Sequence, residues 1–149
     1  MAAGNWIMYD SAKEFIGDGT IDLDSHTFKI MLCTNSYTPN RSTHTVKADV
    51  TNELSTANGY TAGGATLASV TWAQTSGTAK FDAADPSWTA SGGSIGPFRI
   101  AVIYDDTAAS DELLCYCVLE SSDLTATDGQ TVTIAFNASG ILTLSGATS

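Results

Sequence analysis

The chain has 149 residues and a formal net charge of −10 at pH 7, with 43% hydrophobic and 15% charged residues. This length suits a single domain with its own apolar core, and we predict one domain over residues 1–149. Sixteen acidic residues against six basic ones would repel phosphate backbones and anionic membranes, so we expect neither nucleic acid nor membrane as a partner.

The N-terminal residues carry no basic stretch followed by an apolar run, so the sequence shows no secretory signal. No apolar run approaches the ~18 residues that cross a bilayer. We therefore expect a soluble protein that is made in a cytoplasm. The three cysteines agree with this expectation, because an odd number cannot pair completely within one chain.

Strand-like patterns recur along the whole chain. Residues 28–33 and 98–104 are apolar on both alternating faces, which indicates strands that are buried on both sides. Ser76 and Gly77 indicate a hairpin turn between two further strands. Shorter apolar or alternating segments predict the remaining strands, at 6–9, 20–23, 65–72, 79–81, 88–90, 113–119, 131–136 and 141–144. The last two are predicted to pair as a closing hairpin.

Two segments favour helix. Residues 47–54 are the best candidate, because Val50 and Leu54 are four apart and could anchor a short helix to a sheet. Residues 10–15 could form one helical turn, with Ser11 and Glu14 at the spacing of a capping box. Eight to ten short strands with one short helix predict an all-β fold, either an antiparallel β-sandwich or a jelly-roll-like barrel.

The sequence indicates no catalytic residue and no cofactor. His26 and His44 lie in polar, turn-like stretches where a solvated histidine is the expected state, and no nucleophile elbow or phosphate-binding loop is present. Cys115 and Cys117 share one face of a predicted strand, which indicates reduced core packing. A zinc site with either histidine is the alternative, but the cysteine spacing is wrong for a zinc knuckle.

Two aspartate clusters and several aromatic residues leave ligand binding open. The clusters Asp18/Asp22/Asp24 and Asp105/Asp106/Asp111 have oxygen ligands of the type that calcium prefers, although neither has EF-hand spacing. Solvated loop charge is the simpler interpretation. Exposed aromatic rings could stack on sugars or anchor a protein partner, and the candidates are Trp6, Trp72, Trp88, Tyr37, Tyr60 and Tyr104.

Several short sequence segments, which together span most of the chain, resemble those of a known protein family. They are turns and strands rather than active sites, and comprise Trp6–Phe15, Gly19–Leu23, Phe28–Leu32, Tyr37–Pro39, Gly59–Gly64, Phe81–Ala90, Ala101–Asp106 and the C-terminal strands. In these strings the chain resembles a family of small virion structural proteins of tailed bacteriophages, similar to those that decorate or cement the head. The resemblance carries no functional residue with it, so the binding residues stay unknown.

The resemblance implies a non-enzymatic capsid decoration or cement protein that is assembled in the host cytoplasm and located on the capsid surface. Its implied partners are the major capsid protein and copies of itself, arranged around a local symmetry axis. A tail or baseplate component is one alternative. A carbohydrate-binding module that contacts the host surface, through Trp72 or Trp88, is another.

Overall fold

The computed structural model describes residues 1–146. Within them lie twelve strands, one α-helix and one 3-10 turn at Lys47–Asp49. The elements are β1 (Ile7–Met8), α1 (Asp10–Asp18), β2 (Phe28–Cys33), β3 (Ala65–Thr66), β4 (Thr71–Thr75), β5 (Thr78–Asp82), β6 (Ser87–Thr89), β7 (Ile95–Phe98), β8 (Ile100–Asp105), β9 (Leu113–Val118), β10 (Leu124–Ala126), β11 (Thr131–Thr133) and β12 (Leu142–Ser145).

A five-stranded antiparallel sheet, in the order β1-β9-β8-β2-β3, forms the centre of the molecule. Its middle strands β2, β8 and β9 are buried almost throughout. For β2 and β8 this confirms the prediction made from residues 28–33 and 98–104. A strand with water on one side would alternate between apolar and polar residues. These three strands therefore have packed layers on both faces.

Three smaller sheets complete the fold: β12-β5-β4, β10-β7 and β11-β6. The five-stranded sheet meets the three-stranded sheet where Phe28 packs edge-on against Phe81, with ring centroids 5.0 Å apart. On the opposite face of β2, the loop after it supplies Tyr37, and Lys47 lies over the ring of Tyr104 at 4.7 Å. The structure confirms a mainly β, sandwich-like architecture.

The jelly-roll-like barrel is wrong, because the sheets do not close. Among the described residues, β1 and β3 each have a strand partner on one side only. Likewise, β12 and β4 are the edges of the three-stranded sheet. Sheet edges with unpaired backbone groups are therefore a feature of this fold.

The prediction for the helix was wrong in its position. The α-helix is α1, which is longer than the single turn expected there and ends at Gly19, whose φ of 84° is left-handed. The Ser11–Glu14 capping box does not form, since Tyr9 is the N-cap and makes no side-chain capping bond. Helix α1 covers the end of the large sheet next to β9.

Residues 47–54 form only the 3-10 turn at their start. The Asp49 carboxylate accepts hydrogen bonds from the backbone N–H groups of Thr45 and Val46, which closes the turn on itself. Asn52 then takes a left-handed φ of 59°, and a bridge between Glu53 and Cys33 ties the chain to the edge of β2. A helix cannot continue through these two features.

The predicted closing hairpin is also wrong, because its two strands belong to different sheets. Strand β11 pairs with β6, with Val132 opposite Trp88, while β12 pairs with β5, with Leu142 opposite Phe81. Residues 83–86, which include Pro86, separate β5 from β6 and direct them into separate sheets. The C-terminal strands follow this division.

Other strand boundaries differ in smaller ways. Ser76 and Gly77 do form the predicted hairpin turn, with φ of 51° and 85°. Residues 20–23 make a turn instead of a strand, although Ile21 and Leu23 are buried as their alternation suggested. Residues 98–104 divide between β7 and β8 at Arg99.

Candidate interaction surfaces

His26 is bound to a buried carboxylate and is not freely solvated as predicted. Its Nδ1 lies 2.6 Å from Oδ2 of Asp105, a residue with no exposed surface. The other carboxylate oxygen accepts the backbone N–H groups of Thr107 and Ala108 at 3.0 and 3.1 Å. Nδ1 therefore carries the proton and donates to Asp105, because a buried carboxylate needs donors on both oxygens. The pair fastens the loop after β8 to the turn before β2.

Replacing Asp105 with alanine is expected to lower the free energy of unfolding by about 2 kcal/mol, since one buried donor, the Ala108 N–H, and two part-buried donors lose their acceptor. Asp105→Asn is the matched control: its amide oxygen still accepts from the loop, so a smaller loss is expected. Urea denaturation at pH 7 measures both. Equal stability of the alanine variant and the wild type would show that the hydrogen bonds of Asp105 do not stabilise the fold.

His44 belongs to a second, separate network. Its ring stacks on Tyr37, with centroids 5.7 Å apart, and its Nδ1 lies 3.0 Å from the Tyr37 hydroxyl. The Tyr37 hydroxyl also bonds that of Tyr9 at 2.8 Å. Burial raises the pKa of Tyr37 to about 12 and that of Tyr9 further, so both phenols keep their protons at neutral pH. This chain of hydrogen bonds connects the core to a partly buried histidine.

The three cysteines are free thiols inside the core. Cys33, Cys115 and Cys117 are all buried. Burial raises the pKa of Cys33 to about 12 and that of Cys115 well above its ordinary value. Because the thiolate is the reactive form, these groups are poor nucleophiles and poor metal ligands. Within residues 1–146, no three His, Cys, Asp or Glu side chains are grouped as a metal site requires.

The folded protein is therefore expected to resist thiol reagents. At pH 8, Ellman's reagent should label none of the three thiols within minutes, and all three after denaturation in urea. The physical reason is that both access and thiolate formation need the core to open. Rapid labelling of one thiol in the native protein would contradict the burial of that cysteine.

The two aspartate clusters do not converge on a common point. Asp18 and Asp22 each accept a hydrogen bond from the backbone N–H group two residues further on, which is ordinary turn capping. In the second cluster, Asp105 binds His26, Asp106 pairs with Lys29 at 3.1 Å, and Asp111 lies 3.7 Å from Lys47. The carboxylates of Asp18, Asp22 and the second cluster thus have separate partners.

The aromatic candidates are mostly core residues. Tyr37, Tyr60, Tyr104 and Trp88 are buried, and Trp88 packs near Tyr60. Trp6 and Trp72 are partly buried, so they are the two tryptophans with surface to offer. A sugar-binding test through Trp88→Ala would therefore report on folding, whereas Trp72→Ala remains informative.

Every basic side chain of the protein is paired with a carboxylate of the same chain. The six N···O distances are 2.9–3.7 Å, for Lys13–Asp10, Lys29–Asp106, Arg41–Asp10, Lys47–Asp111, Lys80–Asp82 and Arg99–Asp123. Five carboxylates serve these six cations, which leaves eleven acidic residues without a Lys or Arg partner. Exposed pairs contribute little to stability. Their consequence is electrostatic, because no Lys or Arg charge is left unneutralised.

Two clefts in the described surface differ in chemistry. One, about 400 Å³, lies between β10 and β11 and is lined by threonines, Gln130 and apolar side chains. A smaller one, about 240 Å³, lies between α1 and β12 and is almost wholly apolar. No helix in residues 1–146 is long and apolar enough to cross a membrane.

No family model, curated protein or solved structure matches this chain.

Proposed function

We propose that this protein is a non-enzymatic structural protein of a tailed-bacteriophage virion, which decorates the head and stabilises the capsid shell. The observation that carries the proposal is the internal neutralisation of all six basic side chains. It leaves a surface whose unpaired charge is acidic. Such a surface favours a partner lattice with exposed lysines and arginines, and it keeps unassembled copies apart.

The fold supports the same role. A decoration protein has to persist on the particle, and here the core is continuous across the sheets, including large buried side chains such as Tyr9, Phe28, Phe81 and Phe98. Both histidines are held in hydrogen-bond networks, and the three cysteines are buried in the core. The resemblance of the strings from Trp6 to Asp106 to small phage virion proteins supports the proposal from the sequence. The major capsid protein is the proposed partner, and many copies on a lattice would add their weak contacts.

The test is co-sedimentation of the purified protein with expanded heads of the phage that encodes it, prepared without the protein. We expect saturable binding at many copies per head, binding that weakens as salt rises, and greater resistance of the heads to heat. The same heads without added protein are the control for heat resistance. Antibody labelling of purified virions that marks tails alone would replace this proposal with a tail or baseplate role.

A further inference from the structure

An apolar groove runs between the helix and the edge of the small sheet. We call it the edge groove and define it by Met8, Ile16, Leu23, Trp72, Leu142 and Leu144. These side chains come from β1, α1, the turn after α1, β4 and β12. The groove has a volume of about 240 Å³. A second, more polar cleft continues it past Ile16, Leu23 and Trp72 to Asp22.

Two sheet edges border this groove. Strand β12 pairs with β5 on one side, and β1 pairs with β9 on one side. Met8 and Leu142 both line the edge groove, so it occupies the space between these edges. Among the described residues neither edge has a second strand partner. An edge of this type offers backbone N–H and C=O groups to an incoming strand.

Strand β12 lacks the features that usually protect an edge. Its sequence, Leu142-Thr143-Leu144-Ser145, contains no charge and no proline. Leu144 is 61% exposed, more than any other large hydrophobic residue among residues 1–146. Soluble proteins commonly block such edges with lysine, proline or a bulge. An unblocked edge beside an apolar groove is therefore suited to strand addition.

The acidic residues around the groove favour a basic binding partner. Asp22 lines its continuation, and the exposed Asp18 and Asp24 directly follow the lining residues Gly17 and Leu23. None of the three has a Lys or Arg partner, whereas Lys13, which also lines the groove, is 2.9 Å from Asp10. A second copy of the chain docked here would bring the same carboxylates together. A basic segment would be attracted to them.

We propose that the edge groove binds an extended segment of a partner protein in which apolar and basic side chains alternate, and that this segment adds to β12 as a further strand. Its apolar side chains would enter the groove beside Trp72 and Leu142. Because successive side chains of a strand point to opposite faces, its basic side chains would point to solvent, where the unpaired acidic charge around the groove attracts them over a longer distance. This inference goes beyond the virion role and does not depend on it.

The probe is a synthetic decapeptide with free ends blocked, in which valine and lysine alternate. A second decapeptide with glutamate in place of lysine is the charge control. We expect the lysine peptide to bind at least about tenfold more tightly by calorimetry, and to bind more weakly at high salt because exposed charges are screened. In NMR spectra, the amides of Leu142–Ser145 should shift and gain protection from exchange.

Two substitutions that each add one lysine at an exposed residue distinguish binding in the groove from general attraction to an acidic protein. Leu144→Lys changes the groove, and Val118→Lys places the same charge at another exposed apolar residue, 50% exposed, at the end of β9. We expect the first to weaken lysine-peptide binding about tenfold more than the second. Equal effects of the two variants, or equal binding of the two peptides, would overturn the proposal. A wild-type dimer that Leu144→Lys converts to monomer would also overturn it, in favour of a second copy.

Discussion

Replacing Gly64 with alanine is expected to lower the free energy of unfolding by about 4 kcal/mol or more. Gly64 has a φ of +80°, and a Cβ at this position would overlap the carbonyl oxygen of Ile30 and lie 2.8 Å from Cα of Met31. Both are backbone atoms of the central strand β2, so no side chain can move to make room. The variant has to displace β3 or distort β2, and either change disrupts the largest sheet.

Gly19→Ala is the matched control for the backbone conformation. Its φ is +84°, nearly that of Gly64, but a Cβ there would contact nothing within 4 Å. The left-handed conformation alone costs about 1 kcal/mol, so this loss is the expected result for Gly19→Ala. Urea or thermal denaturation followed by far-UV circular dichroism measures both variants. Similar losses at the two positions would show that the contact with Ile30 does not matter.

In the sequence, Gly63 and Gly64 form a glycine pair, which is typical of a turn. What the sequence could not show is that the turn lies directly on the backbone of β2, because Ile30 and Gly64 are more than thirty residues apart. The signal for a turn is local, namely a glycine pair between polar segments. The reason for a glycine at that place is a tertiary contact. Features set by local sequence could therefore be predicted, whereas features set by contacts between distant residues could not.

The strongest strands were predictable for a physical reason. The segments that became β2 and β8 are apolar on both faces, so their burial could be predicted without knowing which strands they pair with. Strand pairing was not predictable in the same way. The turn after Phe136 resembles a hairpin turn, yet Ile134 bonds to Pro86 and Ile141 bonds to Phe81. Whether a strand pairs with its neighbour in sequence or with a distant strand depends on tertiary packing. The alternation of apolar and polar residues carries no information about that packing.

The polar networks were missed because their members are far apart in the sequence. His26 and Asp105 are separated by 79 positions, and neither has a neighbour whose type indicates the pair. The apolar edge groove was also hidden, since it is assembled from five separate segments. Charge was the most informative property: the excess of acid was evident from composition, while the internal pairing of all six cations required the structure.

The second large effect is expected at Phe81, the contact between the two main sheets. Phe81→Ala should lower the free energy of unfolding by about 4 kcal/mol, because a large buried side chain is replaced by a cavity and its edge-on contact with Phe28 is lost. Phe81 lies in the middle strand of the three-stranded sheet, opposite Trp72 on one side and Leu142 on the other. The loss should therefore concentrate in that sheet.

Native-state hydrogen exchange distinguishes this expectation from general destabilisation. Amides of β4, β5 and β12 should lose protection before those of β2 and β8, and the lysine decapeptide should bind more weakly because Trp72 and Leu142 are no longer held in place. Phe136→Ala is the matched control: Phe136 is half-buried against Trp6, so a smaller loss is expected, with β4 and β5 unchanged. Uniform loss of protection in the Phe81 variant would mean that the two sheets unfold as one unit, and that the edge groove is as rigid as the core beneath it.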